Sequence, residues 1–190
     1  ADGFARGEAC VAFALEPGPG GDEASGPSVL GSSVQQDGRS ASLTAPNGLA
    51  QQACFLASLS ASSVGAADLS LYEAHGTGTA LGDPVESRAL AAVLVGDAQH
   101  LVLGSIKANG AHAEAAAGTS GLLAAALALS IKCASPNAQL RVMNPHVFSA
   151  LAPALGKAAL LAPIQLAGIV QGSNDRSGAV SSLGYSGTIA

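Results

Sequence analysis

The sequence predicts an α/β layered fold, a mixed sheet covered by helices. Three features carry this reading. Apolar runs of strand length alternate with runs of helix length, Gly-rich polar junctions separate them, and small residues dominate the composition. Of 190 residues, 24 are Gly and 48% are hydrophobic, while only 11% are charged. Such a chain is too apolar for a disordered tail and suits close packing of helix on sheet. Its length fits one domain, or one compact part of a larger one.

Residues 9–15 form an apolar run that reads as a buried strand, and the Pro/Gly/acidic stretch 16–27 reads as a surface loop. Residues 28–34 read as a second strand, returning antiparallel to the first. The polar stretch 35–48 carries Asp37-Gly38 and Pro46-Asn47-Gly48 as turn signals. An amphipathic helix is expected over 49–62 and a strand over 69–74. A helix follows over 83–95, with Pro84 suited to its first turn. Another strand is expected at 101–106, then a long helix at 114–133. The apolar stretch 113–131 opens with Glu114 and reads as a buried core helix rather than a membrane span. The tail offers strand candidates at 165–170 and 179–183. No internal repeat is apparent.

Charge and cysteine usage exclude several functions. A net charge of −5, eight Lys+Arg and 3% aromatics argue against a nucleic-acid surface. Cys10, Cys54 and Cys133 are odd in number, widely spaced and without a CxxC, so neither a disulfide framework nor a structural zinc site is indicated. A reducing compartment follows, the cytoplasm with a plastid as the alternative, and no basic n-region of a signal peptide opens the chain. The chain opens at Ala1 without Met and stops at Ala190 directly after a turn, so the expectation is a piece of a longer domain.

The residues with chemistry gather at two strand-to-helix junctions. One is Glu73-Ala74-His75-Gly76-Thr77-Gly78-Thr79; the other is Lys107-Ala108-Asn109-Gly110-Ala111-His112-Ala113-Glu114. In an α/β sheet such junctions lie at the carboxyl edge, where ligand sites form. Glycines admit close approach of a ligand to the backbone, and the Thr77 and Thr79 hydroxyls can hydrogen-bond to one. Taken singly, each loop reads as a flexible turn with a structural histidine. Together, on adjacent edges, they read as one site. A zinc site from His75 and His112 lacks a third ligand, and no phosphate-loop motif GxxxxGK[ST] is present. His100, beside Asp97 and Gln99, reads as a solvated turn; His146, in Asn144-Pro145-His146, reads as structural.

The first junction, continued through Leu81-Gly82-Asp83-Pro84-Val85-Glu86, resembles the first active-site histidine motif of β-ketoacyl synthases, in particular the ketosynthase domains of polyketide synthases. Gly104-Ser105-Ile106-Lys107, His112 and Glu114-Ala115-Ala116-Ala117-Gly118 resemble the second. Asp2-Gly3-Phe4, Arg6-Gly7-Glu8, Gln36-Asp37-Gly38-Arg39-Ser40, Leu43-Thr44-Ala45-Pro46-Asn47-Gly48, Asn144-Pro145 and the closing SSLGYSGT follow in the family's order. The resemblance covers essentially the whole chain, residues 1–190, and is to the C-terminal half of the domain only.

That resemblance implies a thiolase-like layered fold (α-β-α-β-α), of which this chain forms the second half. It implies decarboxylative Claisen condensation of an acyl thioester with malonyl-acyl carrier protein, in polyketide or fatty acid biosynthesis. His75 and His112 match the histidines that donate hydrogen bonds to the enolate oxyanion. Lys107 matches the lysine that sets local electrostatics and positions the second histidine through a network including the glutamate matching Glu114. Thr77 and Thr79 match threonines that bind the pantetheine arm, and the turn at Tyr185 matches a gating loop. No metal or redox cofactor is implied, the substrates being carried on the phosphopantetheine arm. The implied partners are an acyl carrier protein, the N-terminal half of the domain, and a second copy in a homodimer.

The chain departs from the family pattern in places. Asn109-Gly110-Ala111-His112 stands where Asn-Ile-Gly-His is usual, which adds a Cβ beside the histidine. Ala41-Ser42 replaces Asn-Gly, Tyr185 stands for Phe, and Ile189 for Asn. The family nucleophile is a cysteine in a Thr-Ala-Cys-Ser setting of the N-terminal half, and none of the three cysteines here has that context. Two rival readings are a non-catalytic partner of the chain-length-factor kind and a scaffold half-domain. The chain alone is expected to perform no condensation.

Overall fold

The structure is a computed structural model that describes residues 4–17, 26–40, 42, 45–94, 100–138, 140–155, 159–169 and 176–190. Asp2, Gly3, Ala41, Leu43, Thr44, Asp97, Gln99, most of the loop expected at 16–27 and the end of the strand expected at 165–170 lie outside these residues. At the centre is a four-stranded parallel sheet of β2 (Leu69–Glu73), β3 (His100–Gly104), β5 (Ala159–Leu161) and β7 (Ser177–Val180), ordered β5-β3-β2-β7. Every residue of β2 is buried, because helices cover both of its faces. That is why the strand reads as a continuous run rather than as alternation.

On one face, Leu69, Tyr72 and Leu101 pack with Leu90 and Leu94 at the end of α2 (Gly82–Val93) and Leu151 of α5 (Pro145–Leu155). Helix α1 (Gly48–Ser62) lies against α2 and brings in Phe55 and Leu59. On the other face, Leu71 and Val102 meet Ala125 of α4 (Ala117–Ile131), with Ala134 and Ile169. The short pairs are β1 (Gln35–Gln36) with β8 (Thr188–Ile189), and β4 (Cys133–Ala134) with β6 (Ala167–Gly168), both antiparallel.

Local rules explain the helix ends. Asn47 caps α1, its Oδ1 accepting from Leu49 N–H at 3.1 Å and Ala50 N–H at 3.3 Å. Ser63 closes that helix in a left-handed conformation, φ 56°. Pro84 sits in the first turn of α2, where no intrahelical N–H is missed. The expected helices at 49–62 and 83–95 and the strands at 69–74 and 101–106 therefore stand, within one or two residues over the described stretch.

Three expectations are corrected. Residues 9–15 form no strand and are mostly exposed, Leu15 at 75%. No neighbouring strand in the described chain takes up their backbone groups, and an apolar run without a ladder partner stays in contact with water. Residues 28–34 likewise form no strand; pairing begins only at Gln35, and with β8 rather than with 9–15. The helix expected at 114–133 opens as a 3₁₀ turn (Glu114–Ala116) and continues as α4, but it is no fully buried core helix. Only its stripe of Ala117, Gly121 and Ala125 is buried, while Leu123, Leu127 and Ile131 are exposed. Glu114–Ile131 is long and apolar enough to cross a membrane by length and composition, with 17% of it buried in this chain.

In the tail, the strand expected at 165–170 shrinks to β6, and that at 179–183 starts earlier, as β7, with Leu183 adding one bridge to Ile189. Helix α5 and strand β5 lie outside the elements that the sequence pattern predicts. Asn144-Pro145 holds the signal for the helix: Asn144 Oδ1 accepts from His146 N–H at 2.9 Å, and Pro145 opens the first turn. Pro153 inside the same helix obscures it.

Candidate active site

The parallel pairing of β2 and β3, with Glu73 opposite Gly104, delivers both junctions to one edge of the sheet. There the His75 and His112 rings stand edge to face, centroids 5.5 Å apart at 89°. His75 is buried. Its backbone N–H donates to Glu86 Oε1 at 2.7 Å and to Ser181 Oγ at 2.9 Å. Glu86, buried on α2, also accepts from Gly76 N–H at 2.9 Å, Ser181 Oγ at 2.5 Å and Tyr72 OH at 3.3 Å. One carboxylate thus ties together β2, the first histidine loop and the segment after β7.

The protonation of His75 follows from its partners. Leu183 N–H donates to its Nδ1 at 3.3 Å, so Nδ1 is the acceptor and the proton of the neutral ring sits on Nε2. Burial, then the nearby Lys107 ammonium and His112, push its pKa down to about 3. Neutral imidazole is therefore the resident form, with an N–H left to donate. His112 is lowered in the same direction, by burial first and Lys107 second, with Glu114 opposing. Its Nδ1 is buried without a hydrogen-bond partner among the described residues.

The second junction is a short helix, α3 (Lys107–Gly110), joined to His112 through the single residue Ala111. Asn137 pins its start, accepting from Ser105 N–H at 3.1 Å and donating to Leu103 C=O at 3.1 Å. The segment bearing Phe4 to Gly7 runs beside the histidine. His112 N–H donates to Ala5 C=O and Gly7 N–H to His112 C=O, both at 2.9 Å, and the Phe4 ring meets the imidazole edge-on at 4.8 Å. Gly7 is required by this approach, because a Cβ there would lie 2.7 Å from the Gly110 carbonyl oxygen.

Ala111 precedes His112 with φ 62° and ψ −176°, a region open essentially to glycine alone. Gly110 has open space around a built Cβ. The glycine therefore sits one place away from where the backbone calls for it. Ala111→Gly is expected to raise stability by about 1 kcal/mol, the relief of strain exceeding the entropic cost of glycine. Urea unfolding of the two proteins side by side checks this; a less stable variant would show the backbone there to be unstrained.

The other expected residues occupy distinct places. Thr77 and Thr79 share the loop before α2, and Thr79 Oγ1 accepts from Gly82 N–H at 3.1 Å and from Thr77 Oγ1 at 3.4 Å. Lys107 is half-buried; burial lowers its pKa, while Glu73, Glu86 and Asp83 act in the opposite sense. Glu114 does not join Lys107: it pairs with Arg6 at 3.2 Å on the surface. Tyr185 is 85% exposed at the turn closed by Gly187 N–H to Gly184 C=O. His100 is the exposed first residue of β3, and His146 is exposed on α5. Among the described residues no three His, Cys, Asp or Glu side chains converge as a metal site. The sequence motifs by themselves assign no role to Glu73, Glu86, Ser181 or Asn137. A charged residue inside an apolar strand is the signal that marks Glu73.

A family model, "Beta-ketoacyl synthase, C-terminal domain", matches residues 27–141, more than half of the chain. This chain belongs to the β-ketoacyl synthase family. It is 43% identical over 152 residues to erythronolide synthase EryA2 of Saccharopolyspora erythraea, covering 77% of this chain and 4% of that protein. The mycoketide-CoA synthase of Mycobacterium tuberculosis is 41% identical over 167 residues, covering 85% of this chain and 4% of the relative. Among solved structures, the ketosynthase from module 6 of the bacillaene synthase of Bacillus subtilis superposes with TM-score 0.75 at 31% identity, over 85% of this chain and 28% of that one. The fold is accordingly thiolase-like, and the chain spans a small part of each relative.

Proposed function

We propose that this chain supplies the enolate-stabilising half of a condensing acyltransferase that acts on malonyl- and acyl-carrier-protein thioesters. The carrying observation is the pair of imidazoles 5.5 Å apart at one sheet edge, with the His75 proton on Nε2. When the malonyl C–CO2 bond breaks, its electron pair moves into the thioester enolate and charge collects on the carbonyl oxygen. Two neutral N–H donors aimed at that oxygen stabilise it without supplying a proton to the carbon. The enolate carbon then attacks an acyl thioester, and the thiolate leaves. The bond broken supplies the electrons, so the reaction needs neither metal nor redox cofactor.

The nucleophilic thiol comes, in this reading, from the N-terminal half of the domain. Cys54 is buried, donating to the Ser33 and Ile189 carbonyls; Cys133 lies in β4; Cys10 is exposed. The chain alone performs no condensation. The N-terminal half and a carrier protein are its partners, a homodimer is its assembled state, and the cytoplasm is its compartment. The bare side of α4, with Leu123, Leu127 and Ile131, supports a covering partner.

The test is made on the complete domain that includes this chain, with malonyl-carrier protein as substrate. Release of CO2 together with a 3-oxoacyl product is expected. Carrier binding without CO2 release would instead make this the non-catalytic partner, and no binding at all would make it a scaffold.

A further inference from the structure

Glu73 and Glu86 are both buried carboxylates, and they are unequally served. Glu86 is met by four donor groups. Glu73, 5% exposed at the end of β2, accepts through Oε1 from Ile106 N–H at 2.5 Å. Ile106 immediately precedes Lys107. The slot that admits the Glu73 side chain is made by glycines. A Cβ on Gly104 of β3 would stand 3.0 Å from Oε2, and one on Gly121 of α4 would stand 3.4 Å from Cγ. Larger residues at either place would crowd the carboxylate, so strand and helix together leave room for a charged group inside the sheet layer.

We infer that Glu73 is a positioning residue for the second histidine loop: its carboxylate holds the turn that opens α3 and is the counter-charge to the Lys107 ammonium beside the two imidazoles. The inference rests on the proposed condensing role. The charged groups facing Glu73 are Lys107 from α3 and Glu86 from α2; α4 presents Gly121, β3 presents Gly104, and β7 presents Val180 beside it. Burial raises the Glu73 pKa to about 7, against the Ile106 hydrogen bond and Lys107. Glu73 in turn holds the Lys107 pKa up against its own burial. An uncompensated Lys107 would lose its proton more easily and alter the field on both rings.

Glu73→Gln in the complete domain separates charge from shape, since the amide oxygen still accepts from Ile106. The Lys107 ammonium, followed by 13C NMR of labelled lysine, is expected to titrate about one pH unit lower in the variant. The alkaline limb of malonyl decarboxylation moves down with it, so that kcat falls about tenfold at a pH above both limbs, with KM unchanged. Where the variant does not fold, the wild-type Lys107 signal still decides, because it must show an inflection near pH 7 as Glu73 ionises. An unmoved Lys107 titration in the variant, or no inflection in the wild type, overturns the assignment. A domain that keeps these titrations but releases no CO2 refutes the proposed reaction and leaves Glu73 in its place.

Discussion

Replacing His75 or His112 with Ala in the complete domain is expected to lower malonyl decarboxylation about a hundredfold or more in each variant, since one donor to a developing oxyanion contributes about 2.7–4 kcal/mol. The two effects should not multiply fully, because the rings stand 5.5 Å apart and share one oxygen as target. His75 gives a second readout through stability. Its folded pKa is about 3 against an ordinary 6.5, so below 6.5 the unfolded chain takes up a proton that the folded chain refuses. The stability associated with the neutral ring is complete above pH 6.5 and is lost as pH falls toward 3. His75→Ala removes that dependence. Urea unfolding at about pH 5 and about pH 7.5 measures it, and CO2 release from malonyl-carrier protein measures the catalytic loss. Wild-type rates in both variants would take the imidazoles out of the reaction.

Glu86→Ala is expected to be the most destabilising single change, by about 3 kcal/mol or more, with loss of activity. It takes an acceptor from Tyr72 OH, Ser181 Oγ and the backbone N–H groups of His75 and Gly76 and leaves a new cavity. Each buried donor left without a partner costs about 1–3 kcal/mol. Ser181 Oγ still meets the His75 N–H in the variant, which keeps the total below the simple sum. Arg88→Ala on the exposed side of the same helix serves as the control, expected within about 0.5 kcal/mol of wild type. Denaturant midpoints of the variants rank the two sites. A Glu86→Ala loss below about 1 kcal/mol would mean that water replaces the carboxylate.

Particular residues show how far a reading of the sequence reaches and where it stops. The proline in the first turn of α2 and the apolar strands before His75 and Lys107 are local features, and each appears where expected. Residues 9–15 carry the same apolar character as β2 yet form no strand, because a ladder needs a second chain segment alongside. Helix α4 carries no charge and only three hydroxyls, so its pattern names no buried face; the sheet selects Ala117, Gly121 and Ala125. The resemblance implies a place for Glu114 in the network around the second histidine, and only the folded chain shows that its carboxylate also pairs with Arg6.

The α/β alternation, the two histidine junctions and the family are legible in the chain alone, all being properties of residues close together along it. Three features belong to the folded molecule and to nothing shorter: Glu86 carries the first loop, Leu183 sets the His75 tautomer, and Glu73 lies in a slot between Gly104 and Gly121. The reason is physical. Burial of a carboxylate and the choice of a hydrogen-bond partner depend on which distant segments exclude water from it, and parallel pairing brings those segments together over more than a hundred residues of chain.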